Sequence, residues 1–141
     1  MIGRIGNILN YLAALGLLVF GIIYLTKSSF MTYHSQAVSL DWGEVEGKIR
    51  FLILALMKTI GGGFIASSIA IIILQYKFSA DKQSWIPLLV LIIGFITYGS
   101  SIYAQLIIRM NTPGNPPTTL SILMICFLVS SYILNRLKSA K

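Results

Sequence analysis

The feature that most constrains this chain is a set of four predominantly apolar runs of 16 to 25 residues. A helix of about 20 residues crosses a hydrocarbon core of about 30 Å, because each helical residue rises about 1.5 Å. The runs lack the apolar and polar alternation that is typical of membrane strands. They predict transmembrane helices, listed here by residue number: 5–24, 51–75, 85–108 and 119–134.

The composition excludes a water-soluble fold for most of the chain. Hydrophobic residues make up 56% of the sequence and charged residues 11%, whereas about 25% of an average soluble domain is charged. The connections after the second and third runs are short, so neighbouring helices should be antiparallel. The sequence therefore predicts an all-α integral membrane protein, folded as an up-down bundle of four transmembrane helices in a single domain over residues 1–141.

The long polar segment before the second run predicts an additional stretch of helix outside the membrane. Asp41 and Glu44 are three residues apart, a spacing that resembles a loose helix-capping pattern. This pattern predicts a helical extension over residues 41–50 that continues into the second transmembrane helix. Trp42 would then lie in the headgroup layer, where tryptophan is enriched.

The basic residues indicate how the chain is oriented. The Lys and Arg residues on the side of the termini are Arg4, Lys77, Lys82, Arg136, Lys138 and Lys141, and those on the other side are Lys27, Lys48, Arg50 and Arg109. An excess of basic residues favours the cytoplasmic side, so the sequence predicts a multi-pass protein of the cell inner (plasma) membrane with both termini cytoplasmic. The net charge of +7 is interpreted as this topology signal. The sequence contains no basic stripe with interleaved aromatic residues, which is the pattern that would indicate nucleic-acid binding.

Lys58 is the one charged residue well inside a predicted span. A lysine at the centre of a membrane helix costs about 2.5–3.5 kcal/mol on insertion scales. Its side chain should therefore either extend back to the headgroups or contact a ligand or a partner subunit. Gly61, Gly62 and Gly63 follow, within a series of small residues that favours close helix packing. The same three glycines beside Lys58 also suit a small-molecule or headgroup pocket.

His34 is the only histidine, and it follows Tyr33 near the outer end of the first predicted helix. One histidine suits hydrogen bonding at the membrane surface, or axial ligation of a haem iron or a pigment magnesium. It cannot form a zinc site alone, so no metal site is predicted, and the cofactor stays open. In the third predicted helix, Tyr98 and Gln105 share a polar face that either joins the helices or contacts a ligand or partner.

Part of the chain resembles a known type of membrane protein. Tyr33-His34, then Trp42, then Lys58 with the glycines after it resemble small uncharacterised bacterial four-span proteins. These combine a Tyr-His/Trp first loop with a cationic, glycine-rich second helix. The resemblance covers roughly the second quarter of the chain. It implies the four-span architecture and a bacterial inner membrane, and it implies no activity or site.

Two functional hypotheses follow, and neither is enzymatic, since nucleophilic catalysis would need a base beside Ser or Cys126, and the single histidine, His34, lies in a different segment near the membrane surface. The leading hypothesis is an accessory or structural subunit of a membrane complex, for example beside a pigment- or haem-bearing core. It would dock through small-residue helix faces and through the loop of Tyr33 and Trp42. The alternative is a small-molecule or lipid-binding membrane protein or transporter protomer, with a pocket around Lys58 and residues 61–63. The expected partners are membrane lipids and either other membrane subunits or further copies of the chain.

Overall fold

The computed structural model describes the backbone of residues 2–139 and the side chains of residues 4–136. Within these limits the chain forms five α-helices and no strand. The helices are α1 (Ile2–Thr26), α2 (Thr32–Val38), α3 (Gly47–Asp81), α4 (Ile86–Asn111) and α5 (Thr118–Ser139). All except α2 are long and apolar enough to cross a membrane. The predictions of an all-α fold and of four such helices are confirmed.

The start of α3 differs from the sequence-based prediction. α3 begins at Gly47 and not near Asp41, and the residues before it form turns. The Asp41 backbone N–H donates to Glu44 Oε2 at 2.8 Å, which is the contact that the capping pattern predicts. A side chain that accepts a backbone N–H three residues away also closes an isolated turn. The predicted extension over residues 41–50 is therefore corrected to a turn followed by the first residues of α3.

The sequence predicts His34 near the outer end of the first helix. In the structure it lies instead on the separate short helix α2. α1 ends at Thr26, and α2 begins six residues later. α2 ends after seven residues because Ser39 adopts a left-handed conformation, with φ of 54°. Its backbone N–H bonds to Gln36 O at 3.4 Å, which closes the helix.

The four long helices form a closed ring. α1 packs against α3 and α5, and α4 packs against the same two helices. The start of α1 lies beside the later parts of α3 and α5: Asn7 Nδ2 donates to Ser79 Oγ at 3.0 Å, and Ser131 Oγ donates to the backbone O of Gly6 at 2.6 Å. Neighbouring helices are therefore antiparallel. The end of the ring near Gly6 is called the termini end, and the end that carries α2 is called the loop end.

The centre of the ring is mainly apolar but also buries polar side chains such as Ser68 and Gln75, and much of its outer surface is apolar as well. Leu17, Ile71 and Leu128 are fully buried at the centre. By contrast, large apolar side chains such as Phe51 (76% exposed) and Ile96 (65% exposed) cover the outside. An apolar outer surface of this extent is typical of a protein surrounded by hydrocarbon.

Candidate ligand-binding cleft

α3 is held against α1 by a contact between their backbones at Gly61. A Cβ atom on Gly61 would lie 2.8 Å from Gly21 O and 2.8 Å from Leu25 N, closer than real Cβ contacts. Only glycine allows two helices to approach this closely. The predicted close packing is therefore present within the chain at Gly61.

Lys58 lies beside the end of α1. Its Nζ donates to Leu25 O at 2.8 Å. Carbonyl oxygens in the last turn of a helix lack intrahelical donors and carry the negative end of the helix dipole, so they suit an ammonium group. Lys58 therefore has a backbone partner from α1, and it does not line the cleft described next. The predicted pocket around Lys58 stays a prediction.

α3 and α4 diverge toward the loop end and enclose a cleft of about 780 Å³. At the termini end of the cleft, Thr97 Oγ1 donates to Ser67 Oγ at 3.1 Å and joins the two helices. Beyond this bond the walls are mainly apolar. The wall residues include Met57, Ile60 and Phe64 from α3 and Ile96, Ala104 and Ile108 from α4.

α2 covers the loop end of the cleft and is fixed there by the connection between α4 and α5. A Cβ atom on Gly114 would lie 2.7 Å from Tyr33 O and 3.0 Å from Ala37 Cβ, so this connection touches the α2 backbone. The Asn115 backbone N–H also donates to Gln36 Oε1 at 3.2 Å. These contacts hold Tyr33 and Ala37 against the cleft, which both residues line.

His34 lines the cleft within a cluster of aromatic rings. Its Nδ1 accepts the Met31 backbone N–H at 3.3 Å, at the start of α2. Its ring centroid lies 4.2 Å from that of Tyr33, and 6.5 Å from those of Tyr24 and Phe30. Burial lowers the pKa of His34 below its ordinary value, so the ring is neutral at pH 7. Because Nδ1 accepts a hydrogen bond, the ring proton of the neutral form is on Nε2.

The hydroxyl groups of Tyr24 and Tyr33 also lie at this end of the cleft and form a hydrogen bond with each other. Burial, together with the neighbouring Tyr24, raises the pKa of Tyr33, so this phenol is neutral as well. None of the twenty residues that line the cleft is Asp, Glu, Lys or Arg. The cleft is therefore uncharged, with its polar groups concentrated toward its two ends and along α4.

Two of the other predicted site residues have structural contacts elsewhere. Tyr98 is 4% exposed, and its hydroxyl donates to Ala13 O at 2.7 Å, which joins α4 to α1 away from the cleft. Trp42 packs edge-on against Phe30, with ring centroids 4.9 Å apart, and does not line the cleft.

Gln105 lines the cleft, but its amide is already bonded. Gln105 Nε2 donates to Ser101 Oγ at 3.2 Å and to Ser121 Oγ at 3.1 Å. An amide nitrogen carries two hydrogens, so both donors are used. Gln105 therefore joins α4 to α5 and adds a polar group to the wall.

The three consecutive glycines face three different surroundings. Gly61 contacts α1, Gly63 lines the cleft, and Gly62 does neither. A Cβ atom on Gly62 or on Gly63 would have no neighbour within 4 Å. Gly62 belongs to an outer face of α3 on which Ala55, Thr59 and Ala66 are also exposed.

Sequence reasoning missed most of the wall of the cleft. Its apolar residues, such as Ile60 and Phe64, are of the same types as the residues on the outer surface, so composition could not separate them. The repeated aromatic residues Tyr24, Phe30 and Tyr33 before His34 were the signal for a cluster at this end.

The chain matches no family model, no curated protein and no solved structure.

Proposed function

We propose that this chain is a multi-pass protein of a bacterial inner membrane, in which α1, α3, α4 and α5 cross the bilayer as an up-down bundle. The apolar outer surface supports this placement, because burying it in hydrocarbon removes it from water. The excess of basic residues at the termini end supports cytoplasmic termini. α2 and the α4–α5 connection then lie on the opposite side of the membrane.

The function that the geometry supports best is binding of a lipophilic small molecule or lipid in the cleft between α3 and α4. The single observation that carries this proposal is the cleft itself, with its volume of about 780 Å³ and its uncharged lining. Small-molecule sites are typically clefts of about 300–1,000 Å³ with apolar walls and a few polar groups. This proposal is the alternative hypothesis from the sequence, small-molecule or lipid binding, with the pocket placed in the α3–α4 cleft instead of around Lys58.

The shape of the cleft supports entry of the ligand from the bilayer. Ile60 and Ile96 on its walls are 45% and 65% exposed, so the opening faces the surroundings of the helices. Along α4 the cleft extends from Ile96 to Ile108, about 18 Å at about 1.5 Å per residue. That is roughly half of a 30 Å hydrocarbon core. A ligand of this length would come from one leaflet, on the side of α2.

Two neighbouring glycines provide the experiment. Gly63→Leu places a side chain in the cleft, whereas Gly62→Leu places the same side chain on the outer face of α3. Neither substitution meets an atom within 4 Å of the new Cβ, and leucine favours helix more than glycine does, by about 1 kcal/mol. Both variants should therefore fold.

We expect Gly63→Leu to lose lipophilic molecules that co-purify with the wild type in mild detergent, as measured by native mass spectrometry. Gly62→Leu should retain them. Equal retention by the two variants and the wild type would exclude the cleft as the binding site.

The outer face of α3 favours a second candidate function, the accessory or structural subunit. Ala55, Thr59, Gly62 and Ala66 are small, exposed and on one side of the helix. Exposed small residues let a helix of another subunit, or of a second copy, approach closely in a membrane. On this hypothesis Gly62→Leu reduces the mass of the particle purified in mild detergent, and Gly63→Leu does not. An unchanged particle mass for Gly62→Leu would count against this surface.

A further inference from the structure

The loop end of the cleft holds a hydrogen-bond donor that has no acceptor among the described residues. His34 Nδ1 accepts the Met31 backbone N–H, so the neutral ring carries its proton on Nε2. The His34 ring lines the cleft. His34 is part-buried, and an N–H group at the wall of an apolar cleft can donate to a ligand that supplies an acceptor, with a net gain of about 0.5–1.5 kcal/mol.

The tyrosine pair supplies a second donor beside the first. Tyr24 and Tyr33 carry one hydroxyl hydrogen each, and their mutual hydrogen bond uses only one of the two. Both side chains line the cleft, and both rings pack edge-on against His34. The hydroxyl that accepts within the pair therefore retains a hydrogen for a ligand, close to the imidazole.

The charge of the lining limits the group that these donors can bind. A carboxylate or a phosphate placed here would be removed from water without Lys or Arg in the lining, which is costly for an ion. A cationic group would face donors and no carboxylate. An uncharged group that only accepts hydrogen bonds fits two neighbouring donors, and a carbonyl oxygen has the two lone pairs required.

We infer that the α2 end of the cleft binds an uncharged carbonyl oxygen carried by a long hydrocarbon, through His34 Nε2–H and one hydroxyl of the Tyr24–Tyr33 pair. This inference rests on the proposed binding function and assigns its ligand class. Two sources share this chemistry, namely the ester of a membrane lipid and the ring carbonyl of an isoprenoid quinone. The apolar chain would lie between Ile60 of α3 and Ile96 of α4.

Probes that differ at the ester group test the inference on the full-length protein in mild detergent. Methyl palmitate carries an ester carbonyl, and heptadecane is a hydrocarbon chain of similar length without one. Binding of each is measured by the rise in unfolding temperature as a function of the mole fraction of probe in the micelle. Because two net hydrogen bonds are gained, we expect methyl palmitate to bind the wild type about tenfold more tightly than heptadecane.

Variants of the three donor residues should remove this preference in a defined pattern. His34→Phe and the double variant Tyr24→Phe/Tyr33→Phe should reduce the tenfold preference to about threefold, since each removes one donor and leaves the other. Tyr24→Phe or Tyr33→Phe alone should keep the preference, because the remaining hydroxyl is released from the pair. Tyr76→Phe is the matched control, since Tyr76 is 71% exposed and lies outside the cleft.

The outcomes separate this inference from the proposed function. Equal binding of the two probes by the wild type overturns carbonyl recognition and leaves lipophilic binding intact, whereas failure of both probes to bind overturns the proposed function. If His34→Phe does not fold, the double variant Tyr24→Phe/Tyr33→Phe still tests carbonyl recognition. A decyl-substituted benzoquinone that competes with methyl palmitate identifies quinone as an accepted source. Mass spectrometry of the molecule retained from cell membranes shows whether it is an ester or a quinone, and a retained molecule without a carbonyl refutes the inference.

Discussion

Gly61 and Gly62 of α3 lead to a stability prediction, because a Cβ atom would meet different surroundings at each position. We expect Gly61→Ala to destabilise the protein and Gly62→Ala to stabilise it. At Gly61 a new Cβ would lie 2.8 Å from Gly21 O and from Leu25 N. Both are backbone atoms, so α1 and α3 have to move apart, and overpacking of this kind costs about 1–3 kcal/mol.

Separation of the two helices should also weaken the hydrogen bonds that join them. Lys58 Nζ to Leu25 O is 2.8 Å and Ser68 Oγ to Ala14 O is 2.7 Å, and each contributes about 0.5–1.5 kcal/mol. At Gly62 nothing lies within 4 Å, so alanine contributes only its higher helix propensity, about 1 kcal/mol. Alanine has the same propensity gain at Gly61, so the two variants should differ only by the overpacking cost and the weakened hydrogen bonds, about 1–5 kcal/mol in free energy of unfolding.

The assay is equilibrium unfolding of both variants and the wild type in mixed micelles with an increasing fraction of denaturing detergent. The order of stability should be Gly62→Ala, wild type, Gly61→Ala. If Gly61→Ala were as stable as Gly62→Ala, the backbone contact between α1 and α3 would not exist as described.

Lys58→Met should lower stability by about 0.5–1.5 kcal/mol, because Leu25 O loses its donor, and should leave methyl palmitate binding unchanged; weaker binding would place Lys58 at the ligand. Gln105→Leu should cost about 1–3 kcal/mol, because Ser121, 8% exposed, loses its side-chain partner; an unchanged unfolding transition would contradict this. The pKa of His34 is lowered in the folded protein relative to its ordinary value of 6.5, so the unfolded chain binds more protons below that pH. The contribution of neutral His34 to the free energy of unfolding should be fully present above about pH 6.5 and should be lost as the pH falls toward the folded-state pKa. The free energy of unfolding of His34→Gln should depend less on pH.

The four long helices could be predicted from the sequence because lipid requires every backbone polar group to be satisfied within its own segment. Length and apolar composition are then sufficient to locate a span. The faces of the spans could not be predicted in the same way, since each helix is apolar nearly all round. Gly61, Gly62 and Gly63 illustrate this limit, because identical residues about 100° apart on the helix contact α1, the exterior and the cleft.

The partner of Lys58 and the position of α2 could not be predicted from the sequence for a different reason. Lys58 bonds to a backbone carbonyl, and a carbonyl is present at every residue, so no side-chain pattern indicates it. α2 depends on the close approach of Gly114 to Tyr33 O, a contact between segments about 80 residues apart. The sequence predicted that His34 and Tyr33 matter at the loop end, and their function there stays a prediction.

The cleft can stay open because each of its walls is fixed from behind. α3 is held by the backbone contact of Gly61 with Gly21 on α1, and α4 is held by the Tyr98 hydrogen bond to α1 and the Gln105 hydrogen bonds to α5. An apolar gap between two free helices would close, since packing them together recovers dispersion energy. Here closing the gap would require α3 to leave α1 or α4 to leave α5. Lys58, Tyr98 and Gln105, which the sequence suggested as ligand or partner contacts, therefore hold α3 and α4 against the helices behind them.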